Sequence, residues 1–116
     1  IYKLKKNNTE IYARSIFLQG LLLSDISNWP KWIDNKFKNK HLELVDYITE
    51  NKIDLLTMSL GFIKSINLID KVVIGICSTK ELNEVLKIWN NKFLDNHNWE
   101  RWSIKEESFI DPRLWP

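Results

Sequence analysis

The sequence is poor in three residue types whose abundance identifies particular protein classes. Its 116 residues include one cysteine, three glycines and three prolines. A single cysteine cannot form a disulfide within the chain and cannot supply the thiolates of a cysteine-based zinc site. The small number of glycines and prolines excludes collagen-like repeats and low-complexity linkers. What is present, 44% hydrophobic and 28% charged residues, indicates a chain that buries a core.

Neither a strong charge excess nor a long hydrophobic run is found. Seventeen Lys and Arg residues stand against fifteen Asp and Glu residues, a formal net charge of +2, which is far from the basic excess of a nucleic-acid-binding surface. The longest apolar runs, 16–23 and 72–77, are shorter than the ~18 residues that a membrane span requires. We therefore expect no nucleic-acid partner, no membrane partner and a reducing, cytoplasmic location.

Apolar patterning predicts two strand-then-helix units in series. Residues 10–18 are rich in aromatic and β-branched residues and predict a strand, and residues 71–75 predict a second one. Within the stretch of about 30–66, a helix is predicted to open with Pro30 at its first position, and helical spacing predicts helices at 42–50 and 55–65. A capping box of Ser78 and Glu81 predicts a helix over 79–90. The tail, 91–116, holds three of the six tryptophans and is predicted to be irregular apart from a short helix near Glu100.

Strands in this order are expected to be parallel, because helices separate them along the chain. Parallel sheets need neighbouring strands and helices on both faces, so two strands do not complete a sheet. We therefore predict that residues 1–116 are a single partial domain, a fragment from the last part of a larger α/β protein. The open strand edges predict a homo-oligomer.

Two segments resemble the C-terminal portion of the aldo/keto reductases, which are TIM barrels that reduce carbonyls with a nicotinamide cofactor. Residues 14–22 read Arg-Ser-Ile-Phe-Leu-Gln-Gly-Leu-Leu and are similar to the family's seventh-strand segment, Tyr-Ser-Pro-Leu-Gly-Arg-Gly-Leu-Leu. Residues 73–84 read Val-Ile-Gly-Ile-Cys-Ser-Thr-Lys-Glu-Leu-Asn-Glu and are similar to its eighth-strand and cofactor-loop segment, Val-Ile-Pro-Gly-Ala-Arg-Ser-Pro-Glu-Gln-Leu-Glu-Glu-Asn. The resemblance implies the C-terminal part of a TIM (β/α)8 barrel, with about two parallel strand-helix units and a tail.

The resemblance also implies which residues hold the cofactor, NADP or NAD, together with the rest of the barrel. TIM barrels commonly bind phosphate in the loops after strands seven and eight and at a helix N-terminus. Cys77 stands where the family has the arginine that contacts the 2′-phosphate of NADP, and Glu81 replaces a glutamine, so the choice between NADP and NAD stays open. The implied cofactor-binding residues are Ser15, Phe17 and Gln19 along the pyrophosphate, and Gly75, Cys77, Ser78, Lys80, Glu81 and Glu84 around the adenosine end.

No segment matches the family's catalytic tetrad of Asp, Tyr, Lys and His, so we expect no catalytic residue here and no catalysis by the chain alone. The implied function is the C-terminal cofactor-binding part of an NAD(P)-dependent oxidoreductase that acts on a carbonyl substrate. A non-catalytic interaction or scaffold domain derived from the same fold is the alternative, and a nucleotide-binding module without redox chemistry is a third hypothesis. We expect no metal site, because His41, His97 and Cys77 lack metal-ligand spacing.

Overall fold

The computed structural model describes residues 1–92 and 97–116, so residues 93–96 of the predicted tail lie outside the described residues. Helix makes up 54% of the structure. The α-helices are α1 (Tyr2–Lys6), α2 (Asn35–Glu50), α3 (Leu55–Ser65), α4 (Thr79–Asn90) and α5 (Glu107–Ile110), and the strands are β1 (Tyr12–Ala13) and β2 (Lys71–Val72). Short 3-10 helices cover Leu21–Leu23, Ile26–Asn28, Trp99–Trp102 and Pro112–Leu114.

The expectation of a TIM-barrel portion is wrong. The described residues contain one sheet of two short strands and no barrel. The strands do pair in parallel, with Tyr12 opposite Lys71 and Ala13 opposite Val72. The first strand is much shorter than the predicted 10–18, because Ser15, with a φ of +57°, and Leu18, with a φ of +49°, adopt left-handed backbone conformations that end an extended chain.

The helices follow the sequence pattern more closely than the strands do. α3 and α4 have the predicted bounds, and the short helix expected near Glu100 is the 3-10 helix Trp99–Trp102. The helix start predicted at Pro30 is wrong, and α2 begins at Asn35, seven residues before the predicted 42. Asp34 caps it, because its Oδ1 accepts a hydrogen bond from the backbone N–H of Lys36 at 2.8 Å. The additional turns bury Phe37 and His41.

The chain divides into two compact units. Unit 1 is Ile1–Ile16 with Leu56–Asn96, and unit 2 is Phe17–Leu55 with His97–Pro116. Unit 2 has an aromatic and aliphatic core, in which the rings of Phe37 and Phe109 stack at 4.0 Å and the Trp29 indole N–H donates to the Leu21 carbonyl at 3.1 Å. The buried members of this core are Leu21, Trp29, Ile33, Phe37 and Phe109, and Leu18, Ile26, Ile104 and Trp115 pack against them.

Unit 1 contains α1, the strand pair, α4 and all of α3 except its first residue. α3 buries Met58, Leu60 and Gly61. α4 buries none of its twelve residues, although it is amphipathic. Along the described parts of the chain, no helix has both the length and the apolar character that crossing a membrane demands.

Candidate functional site

The candidate site is the segment that follows β2 and leads into α4. Backbone pairing continues one residue past β2, where the Val73 N–H donates to the Ala13 carbonyl at 2.8 Å. Ser78 then has an extended backbone and caps α4, because its Oγ accepts a hydrogen bond from the Glu81 N–H at 3.1 Å. The predicted helix start at Ser78 is therefore confirmed, and the protein itself satisfies one of the N–H groups that a helix start leaves open.

The side chain of Glu81 folds back across the start of α4. Its Oε2 accepts a hydrogen bond from the Cys77 backbone N–H at 2.8 Å, one residue before the N–H used in the standard capping box. A carboxylate here is favourable, because the helix dipole places positive charge at this end. An anion that approached the Cys77 N–H would consequently meet a negative charge already bound to it.

Gly75 lies between β2 and α4. Its φ is not in the left-handed region, and a Cβ added to it would have no atom within 4 Å. The fold therefore does not require glycine at this position. The missing side chain leaves open space beside the backbone of residue 75, and this space suits a molecule that approaches the main chain closely.

Because β1 and β2 are parallel, Ser15 follows the same end of the strand pair as the candidate segment does. Residues that follow Ala13 and residues that follow Val72 leave the same end of the strand pair, because the two strands run in the same direction. Ser15 is exposed there. The other implied site residues of unit 1, Cys77, Ser78, Lys80, Glu81 and Glu84, are also exposed. Phe17 and Gln19 belong to unit 2, where they lie in the turn 16–20.

A polar cluster around the strand pair was not predicted from the sequence. The Lys71 ammonium donates to the Tyr12 hydroxyl at 2.9 Å and lies 2.7 Å from Glu10, while Lys5 pairs with Asp70. Hydrogen bonding to Lys71 lowers the pKa of the Glu10 carboxyl, and the bond to Lys5 lowers the pKa of Asp70. Strand register brings Lys71 to Tyr12, and the position of α1 brings Lys5 to Asp70, so no sequence motif marks these groups. Because each charged group here has a partner, we interpret the cluster as structural.

The two histidines lie in different surroundings within unit 2. His41 is buried with its ring 4.8 Å from that of Trp29, and burial lowers its pKa. The Nδ1 atom of His97 is hydrogen-bonded to the Tyr47 hydroxyl at 2.7 Å, and its ring meets that of Trp99 edge-on. Residues 1–92 and 97–116 hold no group of three or more side chains suited to a metal ion.

No family model, curated protein or solved structure significantly matches the chain. The resemblance to the aldo/keto reductases therefore depends on residues 14–22 and 73–84 themselves.

Proposed function

We propose that residues 75–84 bind the adenosine-phosphate end of a nicotinamide cofactor, NADP or NAD, as part of an oxidoreductase of aldo/keto reductase type that reduces a carbonyl substrate. The observation that supports this most is the parallel pairing of β1 and β2, since Ser15 and the 75–84 segment both follow the carboxyl ends of the strands. Ligands of parallel α/β sheets bind at that end. A helix N-terminus, which favours anions, comes next in the chain.

The residues of the segment suit a phosphate in different ways. The Ser78 hydroxyl accepts from the Glu81 N–H and still has a proton to donate to a phosphate oxygen. Lys80 carries an exposed positive charge in the first turn of α4. The open space at Gly75 allows a phosphate to reach the backbone. The bound cofactor supplies the hydride, and the proton donor for the carbonyl is expected outside this chain.

The test uses Gly75→Ala in the 116-residue protein. Nothing in the structure would clash with the added methyl group, so the melting temperature should be kept or slightly raised. If phosphate approaches the backbone there, the methyl group occupies its space, and the affinity for NADH and NADPH should fall about tenfold, which corresponds to about 1.4 kcal/mol. Calorimetric titration measures both affinities.

Lys87→Gln is the matched control, because Lys87 is an exposed residue of α4 that lies outside residues 75–84. It should bind both cofactors as the unchanged protein does. Equal binding by Gly75→Ala and the unchanged protein, or no binding by the unchanged protein, contradicts the proposal.

A second candidate function, a non-catalytic interaction domain that forms homo-oligomers, is favoured by the surface of α4. Leu82 and Leu86 lie one helical turn apart and are 42% and 47% exposed. Exposed apolar residues in a row are typical of surfaces that contact another protein. In this case Leu82→Lys with Leu86→Lys should convert an oligomer into a monomer in sedimentation experiments, whereas Glu84→Lys should not. A monomer at high concentration before any substitution contradicts this alternative.

A further inference from the structure

Lys64 of α3 holds the C-terminal end of α4. Its ammonium donates hydrogen bonds to the Trp89 carbonyl and, at 3.2 Å, to the Asn91 carbonyl. The same nitrogen lies 5.5 Å from the centroid of the Trp89 ring, within the range of a cation–π interaction. The last carbonyls of a helix have no partners within it and carry the negative end of its dipole, so a lysine is a favourable partner there.

This contact matters because packing holds α4 weakly. No residue of α4 is buried, and only Val85, Ile88 and Trp89 are partly covered. Because α4 buries so little apolar surface, the hydrophobic effect holds it only weakly in a fixed orientation. A charged group that binds two carbonyls at one end therefore adds to what fixes the direction of its axis.

We infer that Lys64 is a positioning residue for the cofactor site. It does not touch the phosphate. It holds the far end of α4, roughly 16 Å from Ser78 at the 1.5 Å rise per residue of a helix, and so fixes the direction in which the first turn of α4 faces the ligand. The inference rests on the proposed function, because the ligand positioned is the phosphate of the same nicotinamide cofactor.

The experiment compares Lys64→Met, which keeps the aliphatic stem, with Lys64→Arg, whose guanidinium can still donate to two carbonyls. Calorimetric titration with NADH should show binding about three- to tenfold weaker for Lys64→Met, in line with the loss of charged hydrogen bonds, and restored for Lys64→Arg. Lys87→Met is the matched control. It removes an exposed positive charge from the last turn of α4 and should bind NADH as the unchanged protein does.

A second measurement separates positioning from simple stabilisation of the helix end. In amide NMR spectra, Lys64→Met should shift resonances in the first turn of α4, from Ser78 to Glu81, as well as those near Trp89. Shifts confined to the last turn, unchanged NADH affinity, or a loss that Lys64→Arg does not restore would overturn the inference. If Lys64→Met unfolds, Lys64→Gln, which keeps a neutral donor, provides the same comparison. If Gly75→Ala binds NADH as the unchanged protein does, the result instead contradicts the proposed cofactor site, whatever the Lys64 variants show.

Discussion

Replacing Glu81 should change which nicotinamide cofactor the site prefers. Its carboxylate is bound to the Cys77 N–H at 2.8 Å, so a 2′-phosphate that approached this N–H would lie about 4–5 Å from a like charge. Two charges at that distance repel by about 1 kcal/mol in water and by about 3–4 kcal/mol at an effective dielectric constant near 20. Because Glu81 is exposed, the lower value applies. Glu81→Gln should therefore strengthen NADPH binding relative to NADH about fivefold, which equals about 1 kcal/mol.

Adding Cys77→Arg should extend this effect. Cys77 is an exposed free cysteine directly before the cap residue of α4, so an arginine there gains a charge-assisted hydrogen bond to the 2′-phosphate without disturbing a core. The combined preference for NADPH should reach about 1–3 kcal/mol. Parallel titrations of NADH and NADPH, followed by nicotinamide fluorescence, measure it. Equal changes for both cofactors, or no change for either, would refute the reasoning, because only NADPH carries the extra phosphate.

Three further predictions concern stability. The pKa of His41 is lowered by burial, so the unfolded chain binds the proton more tightly. Stability should be complete above the ordinary histidine pKa of about 6.5 and fall as the pH drops through the lower folded value, and His41→Phe should flatten this dependence in urea unfolding. Phe109→Ala should cost about 3–5 kcal/mol, because it removes a buried ring stacked on Phe37 at 4.0 Å; a loss below about 1 kcal/mol would contradict the described core. Gly20→Ala should destabilise by about 1 kcal/mol, since residue 20 has a φ of +82°, whereas Gly75→Ala, in equally open space without positive φ, should not. Melting temperatures of the two variants test this contrast.

Regular helices were predictable, because their signals are local. Apolar spacing gave the bounds of α3, and the Ser78 cap gave the start of α4. The start of α2 was placed wrongly, because five of its first six residues are lysine or asparagine and leave no apolar spacing to mark the inward positions. The strand predicted over 10–18 failed for another reason. Its composition favours extended structure, but Ser15 and Leu18 have φ values of +57° and +49°, and neither residue type signals a left-handed backbone.

In the candidate site, as in the fold, the features that depend on neighbouring residues in the sequence were predictable. A cap at Ser78 and a charged first turn of α4 follow from residue types alone. The bond from the Cys77 N–H to Glu81 does not, because a standard capping box directs that carboxylate to the N–H of the cap residue itself. The pairing of Lys71 with Tyr12 depends on strand register, and no local pattern specifies the register of two-residue strands.

The two units depend on different forces, and this difference decides which conditions affect the site. Unit 2 is held by a buried core of aromatic and aliphatic side chains. In unit 1 the backbone pairing of the strands and the end of α4 are accompanied by charged contacts, from Lys71 to Glu10, from Lys5 to Asp70, and from Lys64 to backbone carbonyls. Exposed charged contacts are individually weak and are screened by salt, whereas apolar burial is not. Rising ionic strength should therefore loosen the 75–84 segment before it affects the core of unit 2. An anion bound at the start of α4 would then bind more weakly for two reasons: salt screens its attraction to the positive charges there, and the binding segment itself is less well ordered.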